Sequence, residues 1–128
     1  MATFAAARRL LPFPVREPAY VPASWRLRSL AVVGRGTPYA AFVATYRAGA
    51  ASLQLTEAGS HGAPSLLPLT RLDGAPARVV RRQGDCPNWV EVFFPHVACT
   101  VLGQAPLAAL RRVAASLRPI PSDKAAGR

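Results

Sequence analysis

Apolar and polar residues alternate with a period of two in several short stretches, the pattern of strands that bury one face. Trp25, Leu27 and Ser29 alternate with Arg26, Arg28 and Leu30 in the first stretch. A turn at Gly34-Arg35-Gly36 leads to a second strand, Tyr39 to Arg47, rich in aromatic and branched residues. Ala48-Gly49-Ala50 is short enough for a hairpin, and the third strand, Ser52 to Glu57, sets Leu53 and Leu55 against Ser52, Gln54 and Thr56. Ala58 to Ser65 reads as a loop, and Leu66 to Leu72 as a weak strand that Pro68 confines to an edge. After an Asp73-Gly74 turn, Ala77 to Arg82 forms another strand, and Gly84 to Asn88 turns again. The best-defined hairpin joins Trp89–Phe94 to Val97–Leu102 through Pro95-His96. That turn sets Phe94 opposite Val97, Val92 opposite Cys99 and Val90 opposite Val101, a register fixed by one wholly apolar face.

Two stretches change period. Thr3 is placed to cap a short helix, Phe4 to Leu11, which Pro12 and Pro14 stop. The chain then runs extended to Pro22. Near the other end, Pro106 suits a helix start, and Leu107, Leu110, Val113, Ala114 and Leu117 follow at helical spacing. Arg111, Arg112 and Arg118 fall on the opposite side, Arg118 near the negative end of the helix dipole, and Pro119 and Pro121 end the helix. These elements predict an α+β fold: an antiparallel sheet of about five to seven strands, a short N-terminal helix, and a C-terminal helix packed on one face. Residues 1–24 form the helix and proline-rich connector, 25–118 the sheet and C-terminal helix in one domain with that segment, and 119–128 a loose tail.

Composition fits this outline. The 128 residues suit one domain, and 51% are hydrophobic, which supplies a continuous core and argues against disorder. The apolar run Tyr39–Tyr46 is too short for a transmembrane helix, and Met1–Arg9 lacks a secretory signal pattern. The expected localisation is cytoplasmic if this chain is the whole protein. It is extracytoplasmic if the chain is a segment of a longer exported one. A net charge of +10 raises nucleic acid as a partner. Fifteen of the sixteen basic residues are Arg, however, and they are scattered singly or in pairs rather than gathered in a run, which argues against it.

The order of features also carries a resemblance. The opening AARRLLPFPVREPAYVPASWRL, the middle AAFVATYRAGAASLQLTEAG, and Trp89 with its hairpin and the closing PLAALRRVAASL resemble a small bacterial domain of unknown function. That domain is found attached to some anti-sigma factors, and in proteins resembling lipoprotein-sorting factors and the periplasmic sensors that regulate anti-sigma factors. The resemblance spans roughly Ala5 to Leu117 and rests on structural motifs. It implies an extracytoplasmic sensing or interaction role, usually behind a membrane helix, and it supplies no catalytic residue. This sequence lacks the membrane helix and the sigma-binding part of that pattern.

Chemistry-bearing residues are sparse. His61 and His96 fall in turns without a second ligand nearby, and the acidic residues Glu17, Glu57, Asp73, Asp85, Glu91 and Asp123 are dispersed. Cys86 and Cys99 are too few for a zinc site or a disulfide framework, and Cys86 lies beyond the strand facing Cys99. Two unpaired thiols follow, with Cys99 a small buried hydrophobe. Gly34-Arg35-Gly36 lacks the next glycine and the helix of a phosphate loop. No catalytic residue, metal or cofactor is therefore expected, and the chain reads as a non-enzymatic sensing or protein-interaction module. Its partner is expected to be a protein or a small apolar ligand. Trp89, Glu91 and Phe93 share the hairpin face opposite Val90 and Val92, and Trp25 is a candidate to join them. Trp25, Trp89 and Phe93 thus form either a binding surface or a second layer packed under the connector from Pro12 to Pro22. The alternative is a lipid or small-ligand carrier with an apolar cavity between sheet and helix, lined by residues such as Phe42, Leu55 and Phe93.

Overall fold

A computed structural model describes residues 3–60, 69–81 and 87–120, and the period-two stretches within them pair into one antiparallel sheet. In chain order the elements are α1 (Phe4–Leu10), β1 (Arg16–Pro18), β2 (Arg26–Val33), β3 (Ala41–Ala48), β4 (Ala51–Gly59) and β5 (Thr70–Leu72). Next come β6 (Ala75–Val80), β7 (Asn88–Phe93), β8 (Val97–Gly103), α2 (Leu107–Ala115) and β9 (Leu117–Pro119). Seven strands form the main sheet in the order β2-β3-β4-β8-β7-β6-β5, while β1 and β9 make a separate pair. The α+β class, the strand number and both helices agree with the sequence reading. No helix among the described residues is long and apolar enough to cross a membrane.

Local chemistry explains the joints. Thr3 caps α1 by accepting from the Ala6 amide at 3.0 Å. Asp73 and Gly74 both have positive φ, the conformation of the tight turn that joins Leu72 to Ala75. β5 is an edge strand, as Pro68 predicted. The β7–β8 hairpin has the expected register, with Val92 opposite Cys99 and Val90 opposite Val101. His96 lies in its exposed turn. β2 departs from simple alternation, because a bulge between Leu27 and Ser29 leaves Arg28 without a cross-strand partner.

One face of the sheet carries the core. Leu30, Phe42, Ala44, Tyr46, Leu53, Leu55, Val90, Val92, Val97, Cys99 and Val101 point to it. Phe4 and Ala7 of α1, Phe13 and Val15 of the connector, and Leu110, Val113 and Ala114 of α2 close over them. Cys99 is a buried free thiol, as expected, whereas Cys86, His61, Asp85 and the tail from Pro121 lie outside the described residues.

The end of α2 corrects the sequence reading. Leu117 and Arg118 do not continue the helix. Ser116 closes it, its backbone amide bonding back to Arg112 and Val113, and Leu117 begins β9. Pairing across the chain accounts for this. Arg16, Glu17 and Pro18 face Pro119, Arg118 and Leu117, and the Ser116 carbonyl and hydroxyl accept from the Ala19 and Tyr20 amides. Leu117 keeps its expected burial from a strand position, and Arg118 is exposed away from the helix end. The connector is thus partly a strand. Pro119 and Ile120 remain attached to the body, the Ile120 amide donating to the Val15 carbonyl at 3.3 Å.

Gly103 is the tightest joint of the sheet. It pairs with both Leu53 and Asn88, and a Cβ placed there would lie 2.5 Å from the Ser52 carbonyl oxygen and 2.7 Å from the Leu53 Cα. Because the obstruction is backbone, no side chain can rotate out of its way. Gly103→Ala is expected to cost roughly 1–3 kcal/mol in denaturant unfolding. Gly59→Ala, where a Cβ meets only the Phe13 ring at an ordinary 3.7 Å and φ is not positive, is the control for glycine loss without a steric clash.

Candidate functional site

The period of two puts Trp89, Glu91 and Phe93 on the sheet face away from the core. Register surrounds them with Arg78 and Val80 on one side, Ala98, Thr100 and Leu102 on the other, and then Thr56 and Val43 across β4 and β3. The buried residues of α1, α2 and the connector all join the opposite face, so among the described residues no element covers this one. Phe93 is buried yet stands apart from the main core cluster. The Arg78 guanidinium lies 5.8 Å from the Trp89 ring centre. The Trp89 indole N–H is enclosed without a hydrogen-bond partner among the described residues, a costly arrangement for a donor.

The three candidate residues therefore separate. Trp89 and Phe93 share the sheet face away from the main core, Phe93 buried and the Trp89 indole N–H enclosed, whereas Trp25 packs against the main core. The connector does not form the second layer over Trp89 and Phe93, because Phe13 and Val15 insert into the core on the other side.

A cleft of about 590 Å³ opens at one end of the sheet, between the β5–β6 turn, the β7–β8 turn, the end of α2 and β9. Arg16, Leu72, Phe93, Phe94, Ala114 and Leu117 contribute to its wall. The Arg16 guanidinium stacks 3.6 Å from the Phe94 ring centre and donates to the Leu117 carbonyl at 3.2 Å. Phe42 and Leu55 do not reach this cleft. Both are fully buried in the packed core, on the face away from Phe93, so among the described residues no cavity joins the three.

Glu57 is a further group of the site that no local sequence pattern singles out as functional. It follows Leu53 and Leu55 at the same parity and is fully buried among them. Its Oε1 accepts from the Arg16 amide at 2.7 Å, and Cys99 lies directly opposite in register. Oε2 is enclosed without a hydrogen-bond partner among the described residues, with the Cys99 thiol across the ladder. Burial pushes the carboxyl up to about 8, against the pull of the Arg16 amide, the Cys99 thiol and the Arg16 charge. Burial, reinforced by Glu57, also pushes the Cys99 thiol up, so this cysteine is not an activated nucleophile. The signal was present in the alternation Leu53, Leu55, Glu57, which places an acid on an apolar face. Its partner Arg16 is 41 residues away and no local pattern announces it.

No protein-family model and no curated protein sequence matches the chain. Two solved structures do. One is the complex structure of Pseudomonas aeruginosa MucA/MucB, with a TM-score of 0.55 and 23% identity over 88% of this chain. The other is MucB in complex with MucA(peri), with a TM-score of 0.55 and 24% identity over 84%. In each case the match spans 37% of the solved chain, so this sequence corresponds to about a third of that protein. At this identity the likeness is one of fold.

Proposed function

We propose that this chain is a non-enzymatic protein-interaction module of bacterial sigma-factor regulation, with the sheet face around Trp89, opposite the main core, as its platform. The observation that carries the reading is the fold it shares with MucB, which both solved structures contain together with MucA. The resemblance read from the sequence, to a domain attached to some anti-sigma factors and found in proteins resembling the periplasmic sensors that regulate them, supplies the sigma-factor part of the reading. The composition of the face around Trp89 supports the same reading. It offers an aromatic anchor, small β-branched neighbours and one charged pair of strand residues, Arg78 opposite Glu91, an arrangement suited to the centre of a protein interface.

The test is calorimetric titration of the purified chain with the extracytoplasmic segment of an anti-sigma factor from the same genome. Binding is expected, and Trp89→Ala is expected to weaken it by about thirtyfold, the effect of losing an aromatic hot spot. Thr100→Arg, which blocks the same face without removing packing, should weaken it comparably. Absence of binding contradicts the reading. So does a purified chain that carries only nucleic acid released by salt. A lipid or metabolite released on denaturation in native mass spectrometry would favour the carrier reading, with the cleft beside Arg16 and Phe94 as its site.

A further inference from the structure

The outer edge of β2 is the longest free strand edge among the described residues. β2 pairs only with β3, and the other end of the sheet closes with the three-residue β5. A free edge presents a row of unpaired amides and carbonyls to any extended chain, and proteins usually blunt it. The residues here make a particular kind of edge. From Arg26 to Ala48 the chain holds four arginines (Arg26, Arg28, Arg35 and Arg47) and no acidic residue. All four are exposed. Arg26 stands directly opposite Arg47, a like-charge cross-strand pair that destabilises the sheet. The bulge leaves Arg28 outside the ladder. Leu27 and Val33 add apolar surface, at 42% and 49% exposure.

Edge protection alone accounts for only half of this. A row of arginines does prevent pairing with a second copy of the same edge, since arginine would meet arginine. The same row leaves the backbone groups available to a strand of opposite charge. We infer that the β2 edge accepts an extended acidic segment of a partner protein, which adds to the sheet as an eighth strand beside Arg26, Arg28 and Arg47. Strand addition supplies affinity through the backbone, and the arginines supply selection by charge. This inference rests on the interaction role proposed above and narrows the chemistry of the partner. A strand-like partner fits this edge better than a membrane or a nucleic acid does, because a backbone ladder runs along it between the arginines and the exposed Leu27 and Val33.

The experiment uses the full chain and a short synthetic peptide with blocked ends in which Glu alternates with Val and Thr. Its two controls carry Lys in place of Glu, or N-methyl groups on alternate amides. At low salt the acidic peptide is expected to bind and to slow hydrogen exchange at the β2 amides. The lysine peptide should not bind, and N-methylation should weaken binding by about tenfold or more, since several backbone hydrogen bonds are lost. Arg26→Glu with Arg28→Glu, exposed changes that leave the core intact, should abolish it. Equal binding of the N-methylated peptide overturns the inference, as does unchanged exchange in β2. So does a surface that ignores the peptide and binds vesicles of phosphatidylcholine with phosphatidylglycerol, or a single-stranded oligonucleotide. The peptide contains no anti-sigma sequence, so the two readings fail separately. If the anti-sigma segment binds the open face and the peptide binds nowhere, only the edge assignment falls. If the peptide binds and the anti-sigma segment does not, only the sigma-factor assignment falls.

Discussion

Raising the pH from about 4.5 to about 8 is expected to destabilise this protein through Glu57, by a total approaching 5 kcal/mol. In the unfolded chain the carboxyl ionises near its ordinary value of 4.5, whereas burial holds it protonated in the fold up to about 8. Between those values the folded state binds the proton and the unfolded state does not. The stabilisation is therefore complete below about 4.5 and lost progressively as pH rises to about 8, at roughly 1.4 kcal/mol per pH unit. Above that point the fold must hold a buried carboxylate whose second oxygen has no hydrogen-bond partner among the described residues, close to a buried thiol. The net charge of +10 at neutral pH works the other way, since self-repulsion grows as the solution is acidified. The clean reading is thus the difference between the wild type and Glu57→Gln. The amide keeps the size of the protonated acid and an oxygen for the Arg16 amide, but cannot ionise. Thermal melts across this range should show the variant gaining on the wild type by about 10 °C or more at the alkaline end. Parallel curves would mean that Glu57 is ionised in the folded state.

The second large effect is expected from Phe42→Ala. Phe42 sits on β3, fully buried, and meets Phe4 of α1 edge to face with ring centres 5.1 Å apart. Removing the ring leaves a cavity under α1 and should cost roughly 3–5 kcal/mol, against a total stability of about twice that in a domain of this size. Because α1 is only seven residues long, it has little helical stability of its own and depends on this contact. Hydrogen exchange should therefore accelerate in α1 before it does in β7 and β8. A loss below about 1 kcal/mol with α1 still protected would show that Phe4 and Ala7 find another seat.

Much of this architecture was legible because strands and hairpins are local. Pro95-His96 between two apolar alternations fixed the β7–β8 register, and Asp73-Gly74 marked a tight turn. The same parity put Trp89 and Phe93 on one face and Val90 and Val92 on the other. What stayed hidden depends on residues distant in sequence. Leu117 has helical spacing, yet pairing with the Arg16–Pro18 segment draws it into β9. Trp25 opens an alternating stretch, but its side chain turns to the core, just before a bulge that no period reveals. Glu57 was readable as an acid on an apolar face, but its burial appears only once β8 and the connector close over it.

Amide chemical shifts of the labelled chain, followed as the anti-sigma segment is added, test whether the sheet is a platform for a protein partner. Shifts are expected to concentrate on Val43, Thr56, Trp89, Glu91 and Thr100, with the β2 edge following if the segment is acidic and extended. Shifts confined to the walls of the cleft beside Arg16 and Phe94, or no shifts at saturating segment, would contradict it.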